Sequence, residues 1–218
     1  MSGSKKWPAT AWRTLLERAL TVIDEVGANI KWEFGGGTAL ALKLNHRVSY
    51  DVDLFLQDAG ALSAVSPNSN RAARRVTDRW QEPGNYVKLE CHEGEIDFIL
   101  ASRQTELAPW WYRFGERQIP VEMPAEIIAK KMKYRGSRFL PRDIFDLLAV
   151  HHLDAEQLTI AVRAAPEGAR RAVDRIERIA KRYRETIKDE VNPTSSGLEF
   201  FEADPLDAAE ILNRILNE

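Results

Sequence analysis

Cysteine occurs once in the 218 residues, at Cys91, and histidine only four times. A single thiol excludes an intramolecular disulfide and suits a reducing cytoplasm. So few thiolates and imidazoles argue against a structural zinc site, which leaves a hard cation held by oxygen as the metal to expect. No stretch approaches 18 uninterrupted apolar residues, so a membrane-spanning helix is excluded. The opening MSGSKKWPATAW lacks the apolar core of a secretory leader. The expectation is a cytoplasmic protein with no membrane partner. Internal repeats and low-complexity tracts are absent as well.

What is present is an ordinary globular composition, 44% hydrophobic and 29% charged, in a length that suits one large domain or two small ones. The net charge of -2 conceals an asymmetry. Residues 130–188 carry 15 Lys or Arg against 8 Asp or Glu. Such a segment suits a polyanion such as RNA, but its charges also fall at helical i,i+4 spacing, as in Asp174–Arg178 and Glu177–Lys181, which is how solvated helix faces look.

The apolar spacing of Trp12, Leu15, Leu16, Ala19, Leu20, Ile23 and Val26 predicts a helix stopped by Gly27. Lys31–Phe34 reads as a strand running into Gly35-Gly36-Gly37, and Thr38–Leu44 as a short apolar helix. Asp51–Leu56 alternates: Asp51, Asp53 and Phe55 on one face, Val52, Leu54 and Leu56 on the other. Residues 60–70 read as a loop and 71–80 as a helix. Residues 86–92 and 95–100 form a hairpin around Glu93-Gly94, and 112–121 hold a further strand or hairpin. From Pro124 the pattern is helical over 124–135, 141–152, 154–165, 167–190 and 205–217, with 193–197 as a linker. Strands first and helices after predict an α+β fold: a mixed β-sheet with flanking helices over 1–122, then a helical subdomain over 123–218.

The chemistry concentrates in residues 34–55. Glycines ahead of a helix let backbone N–H groups approach an anion at the positive end of the helix dipole, and the Thr38 hydroxyl is a further donor. A tight turn with Thr38 as N-cap is the plain alternative. Asp51 and Asp53, two residues apart on a strand, share a face. Like charges roughly 4 Å apart repel by about 4 kcal/mol at an effective dielectric of about 20, a repulsion that a divalent cation would reverse. Solvated acids, or partners for Arg47, are the alternative. Asp97 interrupts an apolar strand and is the candidate third carboxylate, as base or metal bridge, with Glu95 as substitute. Lys131, with Asp143 and Asp146 on the next helix, suits either triphosphate neutralisation or a helix-packing ion pair. His46, beside Arg47, is a candidate bridge to a ligand.

Gly36-Gly37-Thr38-Ala39-Leu40, His46-Arg47-Val48-Ser49, Asp51-Val52-Asp53-Leu54-Phe55, Glu126…Lys131 and Arg142-Asp143…Asp146 together resemble the AbiEii/AbiGii-toxin nucleotidyltransferases of the DNA-polymerase-β-like superfamily. The wider superfamily has Gly-Ser where this chain has Gly37-Thr38. The resemblance implies metal-dependent transfer of a nucleoside monophosphate from an NTP. Asp51, Asp53 and Asp97 would hold two Mg²⁺ ions, and with Lys131 form the catalytic set. Gly36, Gly37, Thr38, Arg47, Ser49, Lys131 and Asp146 would bind the nucleotide. It further implies an RNA acceptor, tRNA above all, held by the basic helices of 130–188, and a cognate antitoxin. Transfer to a small molecule or a protein, and an inert fold used for binding, are the competing expectations.

Overall fold

The structure, a computed structural model, describes residues 9–218. Most of the segment in which a leader was sought, residues 1–8, lies outside the described residues.

Helix α1 (Trp12–Val26) buries Leu15, Leu16, Ala19, Leu20, Val22 and Ile23 along one stripe and ends at Gly27, whose φ of 108° suits only glycine. Strand β1 (Trp32–Gly35) runs directly into α2 (Gly36–Leu44), which therefore starts two residues ahead of the expected Thr38. After β2 (Arg47–Val48) comes β3 (Val52–Leu56), in which Val52, Leu54 and Leu56 are buried while Asp53 and Phe55 alternate with them toward the opposite face.

The expected loop over 60–70 is largely a helix, α3 (Ala59–Val65). Asp58 caps it by accepting from the Gly60 N–H, and Leu62 and Val65 anchor it. The expected helix over 71–80 stops early: α4 spans Arg71–Val76, Thr77 is extended, and Trp80–Gln81 forms the edge strand β4. Val76 and Thr77 are β-branched and Trp80 is aromatic, residue types that suit a sheet edge better than a further helical turn. The hairpin is β5 (Tyr86–Cys91) and β6 (Gly94–Leu100), turning at His92-Glu93, and a second joins β7 (Trp110–Phe114) to β8 (Arg117–Val121).

These strands form a seven-stranded mixed sheet in the order β4-β5-β6-β3-β1-β8-β7. Strand β3 is antiparallel to β1 but parallel to β6. Helices α1, α3 and α4 cover the apolar face. The opposite face carries Glu33, Gly35, Asp53, Phe55, Asp97 and Lys88, because residues in register across neighbouring strands point the same way.

The helical part follows the expected spans closely: α5 (Pro124–Arg135), α6 (Pro141–Leu153), α7 (Ala155–Ala164) and α8 (Pro166–Glu190). The segment expected as a linker is not a free connection. Asn192–Pro193 forms β9 and pairs antiparallel with β2, and the Thr194 N–H donates to the His46 carbonyl at 3.1 Å. A short helix, α9 (Leu198–Glu202), precedes α10 (Pro205–Asn217). One apolar core continues from α1 through the sheet to α10. Among the described residues no helix is long and apolar enough to cross a membrane.

Candidate active site

The glycine turn exists because side chains press against it. Gly36 has φ +66°, and a Cβ there would overlap the Asp53 carboxylate. A Cβ on Gly37 would overlap the Arg47 guanidinium. Chain reversal, carboxylate and guanidinium thus meet at the N-terminus of α2. Thr38 is buried, and its hydroxyl lies 2.8 Å from Ser49 Oγ and in contact with the Asp51 carbonyl. It therefore pins the segment before β3 to the start of α2, and its hydrogen-bonding capacity is engaged within the chain. The N-cap position itself belongs to Gly35.

The acids converge. Strand register pairs Asp53 with Asp97 across the parallel β3–β6 ladder, and Gly35 with Asp53 on the other side. Asp51 precedes β3, and its Oδ1 accepts from the Glu95 N–H at 3.1 Å. Burial first, and the neighbouring Asp51 second, hold the Asp53 carboxyl above the ordinary range. Burial and the Asp53 charge push Asp97 up to about 7. Lys88, in register with Asp97, lies 3.6 Å from it and also binds Glu95, which is thereby occupied. Asp97 Oδ1 is buried and has no hydrogen-bond partner.

This donor set is all carboxylate oxygen, mutually repelling, with one orphaned atom, and that chemistry fits a hard divalent cation. The side chains are not a preformed cage: among the described residues no three His, Cys, Asp or Glu stand close enough together to hold an ion.

The remaining candidates form a buried charge network beside the turn. Asp146 is fully buried. Its Oδ1 accepts from Arg47 Nε at 2.7 Å and from His46 Nε2 at 2.8 Å, while Oδ2 takes Arg47 Nη2 at 3.1 Å and the Lys131 ammonium. Lys131 also donates to Asp143 Oδ1 at 2.9 Å, and Asp143 Oδ2 accepts the Leu140 N–H at 3.1 Å, capping α6. Burial alone would raise both aspartates, but Arg47 and Lys131 hold Asp146 well below the carboxylate range, and Lys131 with Arg135 lowers Asp143. Burial lowers His46, which stacks on Phe145 with ring centroids 5.4 Å apart, so neutral His46 donates to Asp146 and faces no ligand. Lys130, the neighbouring lysine, binds Glu122 and lies 3.9 Å over the Phe55 ring.

Asp53, Asp97 and Gly36 are thus brought together, with Arg47 against Gly37, while Asp51 is held at the Glu95 N–H. Thr38, Ser49, Lys131 and Asp146 stand behind them as braces. Sequence reading passed over Lys88, although a two-residue turn at His92-Glu93 would have set it opposite Asp97. It also passed over Arg135, which is one helical turn beyond Lys131 and so shares its face.

The family model for the nucleotidyl transferase AbiEii toxin of type IV toxin–antitoxin systems matches residues 18–214. No curated protein matches the chain. Among solved structures, ANT(2'')-Ia in complex with adenylyl-2''-tobramycin superposes with a TM-score of 0.50 at 20% identity, over 71% of this chain and 97% of that one. The solution structure of the antibiotic-resistance factor ANT(2'')-Ia gives 0.50 at 19%, over 76% and 96%. JHP933 from Helicobacter pylori gives 0.45 at 16%, over 96% and 92%. At these identities the ANT(2'')-Ia structures speak for the fold alone. The family model spans nearly the whole chain, and the protein belongs to the AbiEii family of nucleotidyl transferase toxins.

Proposed function

We propose that the protein transfers a nucleoside monophosphate from an NTP to RNA, tRNA above all, in a reaction dependent on Mg²⁺. The observation that carries this reading is the register of Asp53 with Asp97 beside the Gly36 turn, with Asp51 two residues upstream. When bound, the ions would supply Lewis-acid activation and neutralise charge on the transferring phosphoryl group. Asp51 and Asp53 would hold them, with Asp97 as third ligand or base. The acceptor oxygen forms a bond to the α-phosphorus as the bond to the bridging oxygen breaks. The electron pair leaves with pyrophosphate, and the acceptor proton goes to Asp97, whose Oδ1 has no hydrogen-bond partner in the chain. The Gly36-Gly37 turn offers backbone N–H groups to the phosphates, and Arg47, Lys131 and Asp146 form the wall behind them.

The exposed cations of α8, among them Arg171, Lys181, Arg182, Arg184 and Lys188, suit an RNA backbone. Membership of a toxin–antitoxin family adds a cognate antitoxin as partner. The fold shared with a protein solved with adenylyl-2''-tobramycin supports a second reading, in which the acceptor is a small molecule.

Incubation with total RNA, Mg²⁺ and each labelled NTP in turn tests both. We expect a labelled RNA band whose yield falls steeply with salt and which Asp53→Ala abolishes without unfolding the chain. Transfer retained in Asp53→Ala and Asp51→Ala removes the mechanism. A product whose yield is insensitive to salt favours the small acceptor.

A further inference from the structure

The motif nominates Lys131 for the triphosphate, yet its charge is already answered. In the buried network two cations, Arg47 and Lys131, face two carboxylates, Asp143 and Asp146, while His46 is neutral. Those four charges cancel. Arg135 is the surplus. Its Nη2 donates to Asp143 Oδ1 at 2.6 Å, an oxygen that Lys131 already holds, and its buried Nε–H has no acceptor. About a third of the side chain (33%) remains exposed, so Arg135 is anchored at Asp143 without being sealed from solvent. Arg142, in the first turn of α6, is exposed, and no acceptor among the described residues holds its guanidinium. Arg142 immediately precedes Asp143, the carboxylate that anchors Arg135.

We propose that Arg135 and Arg142 clamp the pyrophosphate end of the NTP, and that Lys131 is the counter-ion that fixes Asp143 and Asp146 behind them. This rests on the nucleotidyl-transfer reading above. As the bridging P–O bond breaks, charge accumulates on the departing pyrophosphate. Guanidinium groups present paired donors matched to phosphate oxygens, which a lysine shared between two aspartates does not.

Calorimetry with inorganic pyrophosphate and Mg²⁺ on the full chain tests it. Arg135→Lys keeps a cation for Asp143 but loses the Nε–H. Arg142→Gln removes an exposed side chain without an acceptor. Each is expected to unfold at the wild-type temperature and to bind pyrophosphate about tenfold more weakly, with NTP KM raised in parallel. Wild-type affinity in both variants overturns the clamp and leaves nucleotidyl transfer standing. Absence of pyrophosphate binding in the wild type also overturns it. The reading beneath is judged separately, by labelled-NTP transfer in wild type against Asp53→Ala.

Discussion

A carboxylate resting on a glycine is the smallest unit on which the site depends. Asp53 occupies the space that a Cβ at position 36 would take, and the backbone there is left-handed at φ +66°. Gly36→Ala therefore combines a backbone cost of about 1–2 kcal/mol with displacement of the carboxylate. We expect a modest fall in melting temperature and a loss of transfer out of proportion to it, read by thermal unfolding beside the labelled-NTP assay. Asp146 is the reverse case, a residue whose loss is felt in stability. Asp146→Ala leaves Arg47 and Lys131 buried without their shared partner, which costs about 3–5 kcal/mol. Denaturant unfolding checks that figure. The acidic pair at 51 and 53 was legible from spacing alone. The saturation of Asp146 was not, because its partners Arg47 and His46 lie 99 and 100 residues away.

Elements here are joined by charge on one side and by close backbone contact on the other. The network ties α5, α6 and β2, so its titration is that of an inter-element clamp. Asp143 and Asp146 are both lowered in the folded state, so their stabilisation is complete above the ordinary carboxylate range, about 4, and is lost as pH falls through their folded values. Acid unfolding should therefore set in steeply below pH ~4, and Asp146→Asn should flatten that limb. Helix α8 meets α5 through glycine. A Cβ on Gly168 would overlap the Met132 carbonyl, and one on Gly136 the Gly168 carbonyl. Backbone cannot swing aside as a flexible side chain can, so Gly168→Ala should cost about 1–3 kcal/mol, seen as a lower denaturant midpoint with transfer chemistry intact in the folded fraction. Helix periodicity announced these helices nearly to the residue. It could not announce α3, whose seven residues are held by a cap and two buried side chains, nor β9, whose partner β2 lies far upstream in the pairs Val48–Asn192 and Arg47–Pro193.

At the scale of the whole molecule, the polar face of the sheet is strained by like charge. Asp53 and Asp97 are raised in the folded state, Asp97 to about 7. The stability they contribute is fully present below their unfolded values near ~4 and lost as pH rises through the folded ones. Magnesium would bind the ionised carboxylates and reverse that loss. Thermal unfolding with millimolar Mg²⁺ should accordingly show a larger gain at pH ~8 than at pH ~5.5. Equal gains at both would detach the metal from these acids. Glu122, pushed up to about 8 by burial, adds its own loss at higher pH that magnesium leaves in place.

The amino-acid order by itself determined the periodic elements, the glycine turn ahead of a short helix, and the closeness of Asp51 to Asp53 along the chain, since each follows from geometry a few residues long. Only the tertiary structure decided that Asp97 lies in register with Asp53, that Thr38 and Lys131 are engaged inside the chain, and that Arg135 carries the unbalanced charge. Those depend on which strands pair and which helices cross. A side chain's partner is set by packing across the whole chain, and no local pattern encodes it.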